Sequence, residues 1–290
     1  MTHVAVTGSS GKLGRAVVAR LEAEGYRITR LDTAVPPEPR GDFTRVDLTD
    51  YGQTLDALIG VNDRYDSLDA VVHLAAIPAP GLYSDVATFH HNIAVTFNVF
   101  QAAKRAGIKN IVYASSETVL GLPFSTDPPY VPVDEEYPAR PESNYSLVKH
   151  LEETMAAQFT RWDPELKIVG LRFSNVMDVE DYADFPSFDA DPTQRIWNLW
   201  GYIDARDGAQ AVLKGLQYAG TGFETYVIAS PDTVMSRSSA QLVAEYFPDV
   251  PVTRELGEHE TLLGIDKAKR MLGYAPEFSW RDTQGPTKQV

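Results

Sequence analysis

Eight residues near the start of the chain, Thr7-Gly8-Ser9-Ser10-Gly11-Lys12-Leu13-Gly14, follow a short apolar run at His3–Thr7 and open an amphipathic stretch at Gly11–Glu24. A strand that turns straight into a helix has this pattern, because each glycine answers a different steric demand. Gly8 permits the tight turn, Gly11 leaves space where a phosphate must approach, and Gly14 lets helix and strand pack closely. Backbone N–H groups at such a helix start form an anion site. Gly8, Ser10, Gly11, Lys12, Leu13 and Gly14 are therefore candidate contacts for a pyrophosphate.

A turn of this kind belongs to a parallel sheet, and the chain up to residue 175 has the matching rhythm of short apolar runs and helix-length amphipathic stretches. Strands are expected near His3–Thr7, Tyr26–Leu31, Thr44–Asp47, Ala70–Ala75, Asn110–Ala114 and Lys167–Phe173. Helices are expected near Gly11–Glu24, Gln53–Ile59, Asp85–Ala106 and Tyr145–Trp162. The fold class is thus α/β: a Rossmann-type doubly wound parallel sheet over residues 1–175, with a small C-terminal α/β substrate lobe over residues 176–290 interleaved with it. In that second part a helix near Asp204–Ala219, a strand at Thr225–Ala229, helices near Ser238–Tyr246 and Asp266–Leu272, and a mobile tail from Gln284 are expected. The acidic, aromatic stretch Val179–Pro192 reads equally as a lid over a cleft or as a solvated loop.

Composition removes whole classes of function. With 40 acidic against 26 basic residues the net charge is −14, which repels phosphate backbones and anionic lipid, so neither nucleic acid nor a membrane is expected as a partner. The chain has no cysteine, which excludes disulfides, thiolate metal sites and cysteine nucleophiles. No metal is expected. Met1-Thr2-His3 runs directly into Val4 without a basic, apolar leader, and a cytoplasmic protein is expected.

Asp32 ends the second expected strand, 18 residues after Gly14. A carboxylate there accepts hydrogen bonds from a ribose diol and repels a 2′-phosphate, which favours NAD over NADP. Arg30, two positions earlier on the same strand, shares that face and leaves a path for NADP. Asp47-Leu48, closing the third strand, reads either as a contact beside the adenine or as the cap of the next helix.

Tyr145 and Lys149 stand at i and i+4, on one face of a helix. A nearby cation favours phenolate, so this tyrosine could exchange a proton with a secondary alcohol near neutral pH. Ser116, closing the fifth strand, places a hydroxyl at the carboxyl edge of the sheet, where open α/β sheets bind ligands; as a turn cap it would look the same. His73, His90 and His91 have no evident carboxylate partner and receive no role.

Taken in order, Thr-Gly-x-x-Gly-x-x-Gly, His73-Leu74-Ala75-Ala76, Asn92-Ile93-Ala94-Val95-Thr96, Ser115-Ser116 and Tyr145-x-x-x-Lys149 resemble an extended short-chain dehydrogenase/reductase of the NAD-dependent epimerase/dehydratase type. Tyr202-Ile203-Asp204-Ala205-Arg206-Asp207 and Leu272-Gly273-Tyr274-Ala275-Pro276 extend the resemblance into the C-terminal half. It implies that Tyr145 is the acid/base, that Lys149 lowers its pKa and holds the nicotinamide ribose, and that Ser116 bonds the reacting oxygen. It further implies that Leu74, Ala75 and Ala76 line the cofactor, that Asn92 supports it, and that Ser115, Phe173, Asn175, Arg195 and Trp200 fall at the substrate, although tryptophans such as Trp197 and Trp200 are more often core. A homodimer is implied as well, paired through the helices near Asp85–Ala106 and Tyr145–Trp162, with Phe97, Phe100, Met155 and Phe159 as its apolar stripe.

The chain departs from parts of that family. Asn198-Leu199-Trp200-Gly201-Tyr202 lacks the arginine with which nucleotide-sugar 4-epimerases meet a diphosphate, leaving Arg195 and Arg254 as substitutes. Ser116-Glu117-Thr118 lacks the second carboxylate that dehydratases use to eliminate water. The leading expectation is an NAD-dependent oxidoreductase acting at a secondary or anomeric carbon of a free sugar or sugar acid. The alternatives are a nucleotide-sugar 4-epimerase with tightly bound NAD and a non-catalytic NAD sensor. A sensor has no need of Tyr145, Lys149 and Ser116 together.

Overall fold

The computed structural model describes residues 1–36, 42–60, 65 and 67–283 of the chain. The expected tail from Gln284 lies outside the described residues. In chain order the elements are β1 (His3–Thr7), α1 (Lys12–Ala23), β2 (Arg27–Asp32), β3 (Asp42–Arg45), α2 (Tyr51–Ile59), β4 (Ala70–His73), α3 (Asp85–Arg105), β5 (Asn110–Ser116) and α4 (Asn144–Trp162). They continue with β6 (Lys167–Phe173), β7 (Val176–Met177), α5 (Phe185–Ala190), β8 (Ile203–Asp204), α6 (Ala205–Gln217), β9 (Gly222–Ile228), α7 (Ser239–Tyr246) and α8 (Asp266–Leu272).

Seven strands form one parallel sheet in the order β3-β2-β1-β4-β5-β6-β9. Both faces are buried, and successive strand residues serve opposite faces as the period of two requires. Val4 and Val6 join the core under α1 and α6, while Ala5 between them joins the core under α2, α3 and α4. The same split separates Val112 from Ile111 and Tyr113, and Val169 and Leu171 from Ile168. Strand order reverses between β1 and β4, so the carboxyl ends of these strands open the crevice where such sheets bind ligands.

The C-terminal part refines two expectations. The strand expected at Thr225–Ala229 is the seventh strand of the main sheet, in parallel register with β6 from Lys167↔Gly222 to Phe173↔Ile228, and α6 packs beside α1. The part of the chain after residue 175 thus interleaves with the sheet by giving it β9, and α8 packs on β9 and α6. The acidic stretch, expected as a lid or a solvated loop, is a packed turn and a short helix. Tyr182 and Phe185 are buried there against Tyr202 and Trp280, and Tyr182 donates to Asp204. Of its carboxylates Asp181 is tied back to Lys12 of α1, as Asp178 just before the stretch is to Arg15. Aromatic burial decides the outcome, since each such ring contributes about 2–3 kcal/mol when removed from water.

Candidate active site

The glycine-rich turn makes one wall of a cavity of about 1010 Å³ that runs along the carboxyl edge of the sheet. Gly8 sits at φ +67°, and a Cβ there would lie 2.7 Å from Ala75 N; a Cβ on Gly14 would lie 2.1 Å from Gly8 O. No side chain fits at either place, and the cradle has the shape a pyrophosphate needs. Gly11 precedes α1 and has no side chain to cap it, which leaves that helix start to a ligand.

Asp32 lies at the end of β2 in the cavity wall, where its carboxylate accepts from Ser10 N at 2.9 Å and Ala34 N at 3.0 Å. It thereby fixes the turn while facing the cavity. Arg30, expected to share this face, is instead paired with Glu22 and is absent from the cavity wall. Asp47 and Leu48 line the cavity, and the cap of α2 is Asp50, which accepts from Gln53 N at 3.1 Å. Of the two readings of Asp47, the structure therefore removes the helix cap.

On the opposite side Leu74, Ala75 and Ala76 line the cavity; Leu74 N and Ala75 N donate to Thr7 Oγ1, which is 2.8 Å from His73 Nδ1. Asn92 is fully buried and stands behind the wall, accepting from Ile77 N at 2.8 Å and donating to Ile77 O at 3.0 Å. It holds the loop that carries Ala76 and Pro78 and does not face the cavity.

Ser116, Tyr145 and Lys149 meet at the far end. Strand β5 brings Ser116 to the sheet's edge, and α4, started by the Ser143–Ser146 capping box, lays Tyr145 and Lys149 across it. The Ser116 hydroxyl accepts from Thr118 N at 3.2 Å, so it caps the following turn as well as bonding Tyr145. Lys149 Nζ donates to Ala114 O and to Glu152 Oε2, both at 2.9 Å. Burial pushes the Tyr145 phenol above its ordinary value; Lys149 and the Ser116 hydroxyl pull it back only in part. Lys149 thus lowers the phenol's pKa as expected, and burial outweighs it in the protein by itself. Burial opposes the charge on Lys149, yet Glu152, Tyr145 and Glu153 outweigh it and hold its pKa above the ordinary value.

The substrate end is partly as expected. Phe173, Asn175 and Trp197 line the cavity. Ser115 lines it too, but its hydroxyl is committed to Glu153 Oε1 at 2.6 Å, within the fork that Glu153 makes with Arg172. Trp200, expected at the substrate, does not line the cavity: it is wholly buried, donates from Nε1 to Pro192 O, and packs on Tyr246 and Phe247. Arg195 is likewise withdrawn, bonded to Asn175 Oδ1 at 3.0 Å and Gly201 O at 2.8 Å.

Sequence reasoning gave no site role to two buried carboxyls, Glu152 and Glu117. Glu152 could have been found from its i+3 spacing to Lys149. Glu117 lines the cavity beside Ser116, and burial raises its pKa to about 7 despite help from Ser174, Asn198 and Arg195. Because the folded protein holds this proton more tightly than the unfolded chain, stability falls as pH rises from the ordinary carboxyl range through 7. Glu117→Gln is therefore expected to raise the melting temperature by several degrees at pH 8, for at most about 3 kcal/mol, and to leave it little changed at pH 5. Thermal melts of both proteins at the two pH values check this.

The glycine cradle, the carboxylate after β2 and the serine, tyrosine and lysine at the sheet's edge define a class, and the chain belongs to it: residues 4–188 match the NAD dependent epimerase/dehydratase family. This agrees with the resemblance read from the motifs. The chain is similar to the probable UDP-arabinose 4-epimerase 3 of Arabidopsis thaliana, 28% identical over 241 residues, covering 78% of this chain and 56% of that protein. It spans about half the length of the relatives it matches. A crystal structure of UDP-galactose 4-epimerase superposes with a TM-score of 0.69 at 25% identity, covering 96% of this chain and 94% of that one. A mutated uronate dehydrogenase shares the fold, with a TM-score of 0.68 at 20% identity over 100% of this chain and 88% of that one.

Proposed function

We propose that the protein is an NAD-dependent oxidoreductase that transfers hydride at a secondary or anomeric carbon of a sugar or sugar acid. The observation that carries this reading is the single cavity that joins the glycine cradle and Asp32 to Ser116, Tyr145 and Lys149. The cradle residues and Asp32 would hold the pyrophosphate and adenosine ribose, Asp47 and Leu48 the adenine end, and Lys149 the other ribose. When bound, NAD would supply the hydride acceptor. Tyr145, as phenolate, takes the hydroxyl proton of the substrate, Ser116 orients the same oxygen, and Lys149 stabilises the phenolate that accepts the proton. The wall of buried Phe173 with half-buried Asn175 and Trp197 would exclude water and fix the ring of the substrate.

The second reading, a nucleotide-sugar 4-epimerase, is favoured by the names of the relatives. Against it stands the charge of the cavity. Among the described residues its lining contains two lysines and no arginine; Lys12 is paired with Asp181, and Lys149 with Glu152. A second diphosphate in a half-buried cleft needs cationic partners, and Arg195, the nearest candidate in sequence, is bonded inward. Incubation with NAD and a panel of free sugars, uronates and nucleotide sugars tests the choice. Reduced nicotinamide accumulates with a free sugar or uronate under the first reading; interconversion of UDP-sugars without accumulation would establish the second.

Cofactor choice rests on Asp32. A charge-assisted pair with the ribose diol is worth about 1.5–3 kcal/mol, so the protein is expected to prefer NAD over NADP by at least about tenfold. Asp32→Ala narrows that preference by weakening NAD more than NADP, read as kcat/KM for each cofactor in both proteins. Arg30, from which a path to NADP was inferred, is paired with Glu22 and does not line the cavity, which supports the preference for NAD.

A cytoplasmic homodimer is part of the proposal. The chain's lack of cysteine suits a reducing compartment, and no helix among the described residues is long and apolar enough to cross a membrane. Phe100 and Phe159, expected in a dimer stripe, are buried inside the protomer; the exposed apolar side chains on α3 and α4 are Val86, Phe97, Leu147 and Trp162. Sedimentation at micromolar protein is expected to give a dimer, and Phe97→Glu with Trp162→Glu a monomer.

A further inference from the structure

Beyond the pair that acts on substrate, α4 buries a carboxylate for which the proposed chemistry has no direct use. Glu152 is wholly buried, and its Oε2 receives a hydrogen bond from Lys149 Nζ at 2.9 Å. An ammonium has three N–H donors. Ala114 O takes one at 2.9 Å and Glu152 takes another, which leaves a single N–H for the cavity that Lys149 lines. Glu152 is also not the carboxylate that closes the sheet side of the helix: that is Glu153, forked onto Arg172 at 2.9 and 2.8 Å. Glu152 Oε1 is buried without a hydrogen bond of good geometry, beside Thr96, whose hydroxyl lies 3.2 Å from His73 Nε2.

We propose that Glu152 is a positioning residue for the acid/base pair: it clamps Lys149 with one donor toward the cavity and offsets the ammonium's charge beside the Tyr145 phenol. The inference rests on reading Tyr145 as the acid/base.

The charges around the phenol, Lys149 and Glu152 add up accordingly. From its own helix come Lys149, Glu152 and Glu153; from β6 comes Arg172, which Glu153 neutralises; from β4 comes His73, held neutral because burial and Lys149 push its pKa to about 3. From the turn after β5 comes Glu117, half protonated near neutral pH, and from β5 itself Tyr113, whose phenol burial holds protonated. Lys149 is thus the unneutralised cation beside Tyr145 once Glu152 is removed. Lys149 lowers the phenol and Glu152 raises it, in keeping with that balance. An uncompensated cation within a few ångströms shifts a neighbouring acid by about one unit or more.

The experiment is an ultraviolet titration of tyrosinate in the full chain, with the Tyr145→Phe protein subtracted to isolate this residue among the 14 tyrosines. Glu152→Gln keeps a hydrogen-bond acceptor for Lys149 and removes the charge. The Tyr145 midpoint is expected to fall by about one unit or more, which at pH 10 reads as up to about tenfold more phenolate. The acid limb of the pH–rate profile moves the same way. An unmoved or raised midpoint in a variant with native circular dichroism overturns the proposal. Glu152→Met, neutral and of similar length, gives the same reading should the glutamine variant not fold. The titration needs no turnover: a lowered midpoint in a protein that oxidises no sugar retains this inference and removes the proposed function, while an unmoved midpoint in an active enzyme does the reverse.

Discussion

Replacing Tyr145 by phenylalanine is expected to lower kcat by about 10³-fold while leaving NAD affinity within a few-fold, the loss typical of a positioned proton acceptor. The ring is nearly wholly buried, so its packing survives the change and only the hydroxyl is lost. Ser116 cannot take over: its oxygen already accepts from Thr118, and a serine hydroxyl is a far weaker base than a phenolate beside an ammonium. Because burial holds the Tyr145 phenol above its ordinary value, oxidation is expected to accelerate as pH rises and more of the phenolate form becomes available. Stopped-flow or steady-state rates from pH 6 to 10, with NAD affinity from fluorescence quenching, test both statements. A variant that keeps the wild-type rate would show that Tyr145 is not the base.

Lys149→Ala is expected to damage three properties together. The cavity loses the Lys149 N–H left over for it, so NAD binds more weakly; Tyr145 loses its stabilising cation, so kcat falls; and Glu152 is left as a buried carboxylate with no cationic partner. Breaking a buried pair by removing one member costs about 3–5 kcal/mol, enough to lower the melting temperature by roughly 10 °C in a chain of this size. The double variant Lys149→Ala/Glu152→Gln should recover most of the stability but neither the affinity nor the rate. Calorimetry and NAD titration of the single and double variants separate the structural from the catalytic loss. Normal cofactor affinity in the single variant would remove the ribose contact from Lys149.

The local parts of the site were legible in the sequence because each is written within one turn and one helix. The glycine run announces its own geometry: Gly8 must take positive φ and Gly14 must admit Gly8 O, and no distant residue is needed to say so. Tyr145 and Lys149 share a face because four residues make about one helical turn. Asp32 follows from the length of one helix and one strand. These spacings also carried the family, and with it NAD and the crevice at the sheet's edge.

What the sequence could not contain is which faces meet. Gly222–Ile228 has the composition of any short strand, and only its docking beside β6 makes it the seventh member of the sheet. Trp200 and Arg195 sit where substrate contacts were expected, yet one fills the core against Tyr246 and Phe247 and the other turns to Asn175 and Gly201. The acidic stretch reads as soluble until Tyr182 and Phe185 find a buried surface between Tyr202 and Trp280. Glu152 stands on the same helix as Glu153, one residue apart, and their different partners follow from 100° of helical rotation together with the neighbours that β5 and β6 supply. Spacing along the chain determined the parts that act through backbone and helix geometry, and the tertiary packing decided the charge each buried group feels, because burial and partner charge are properties of neighbours far away in sequence.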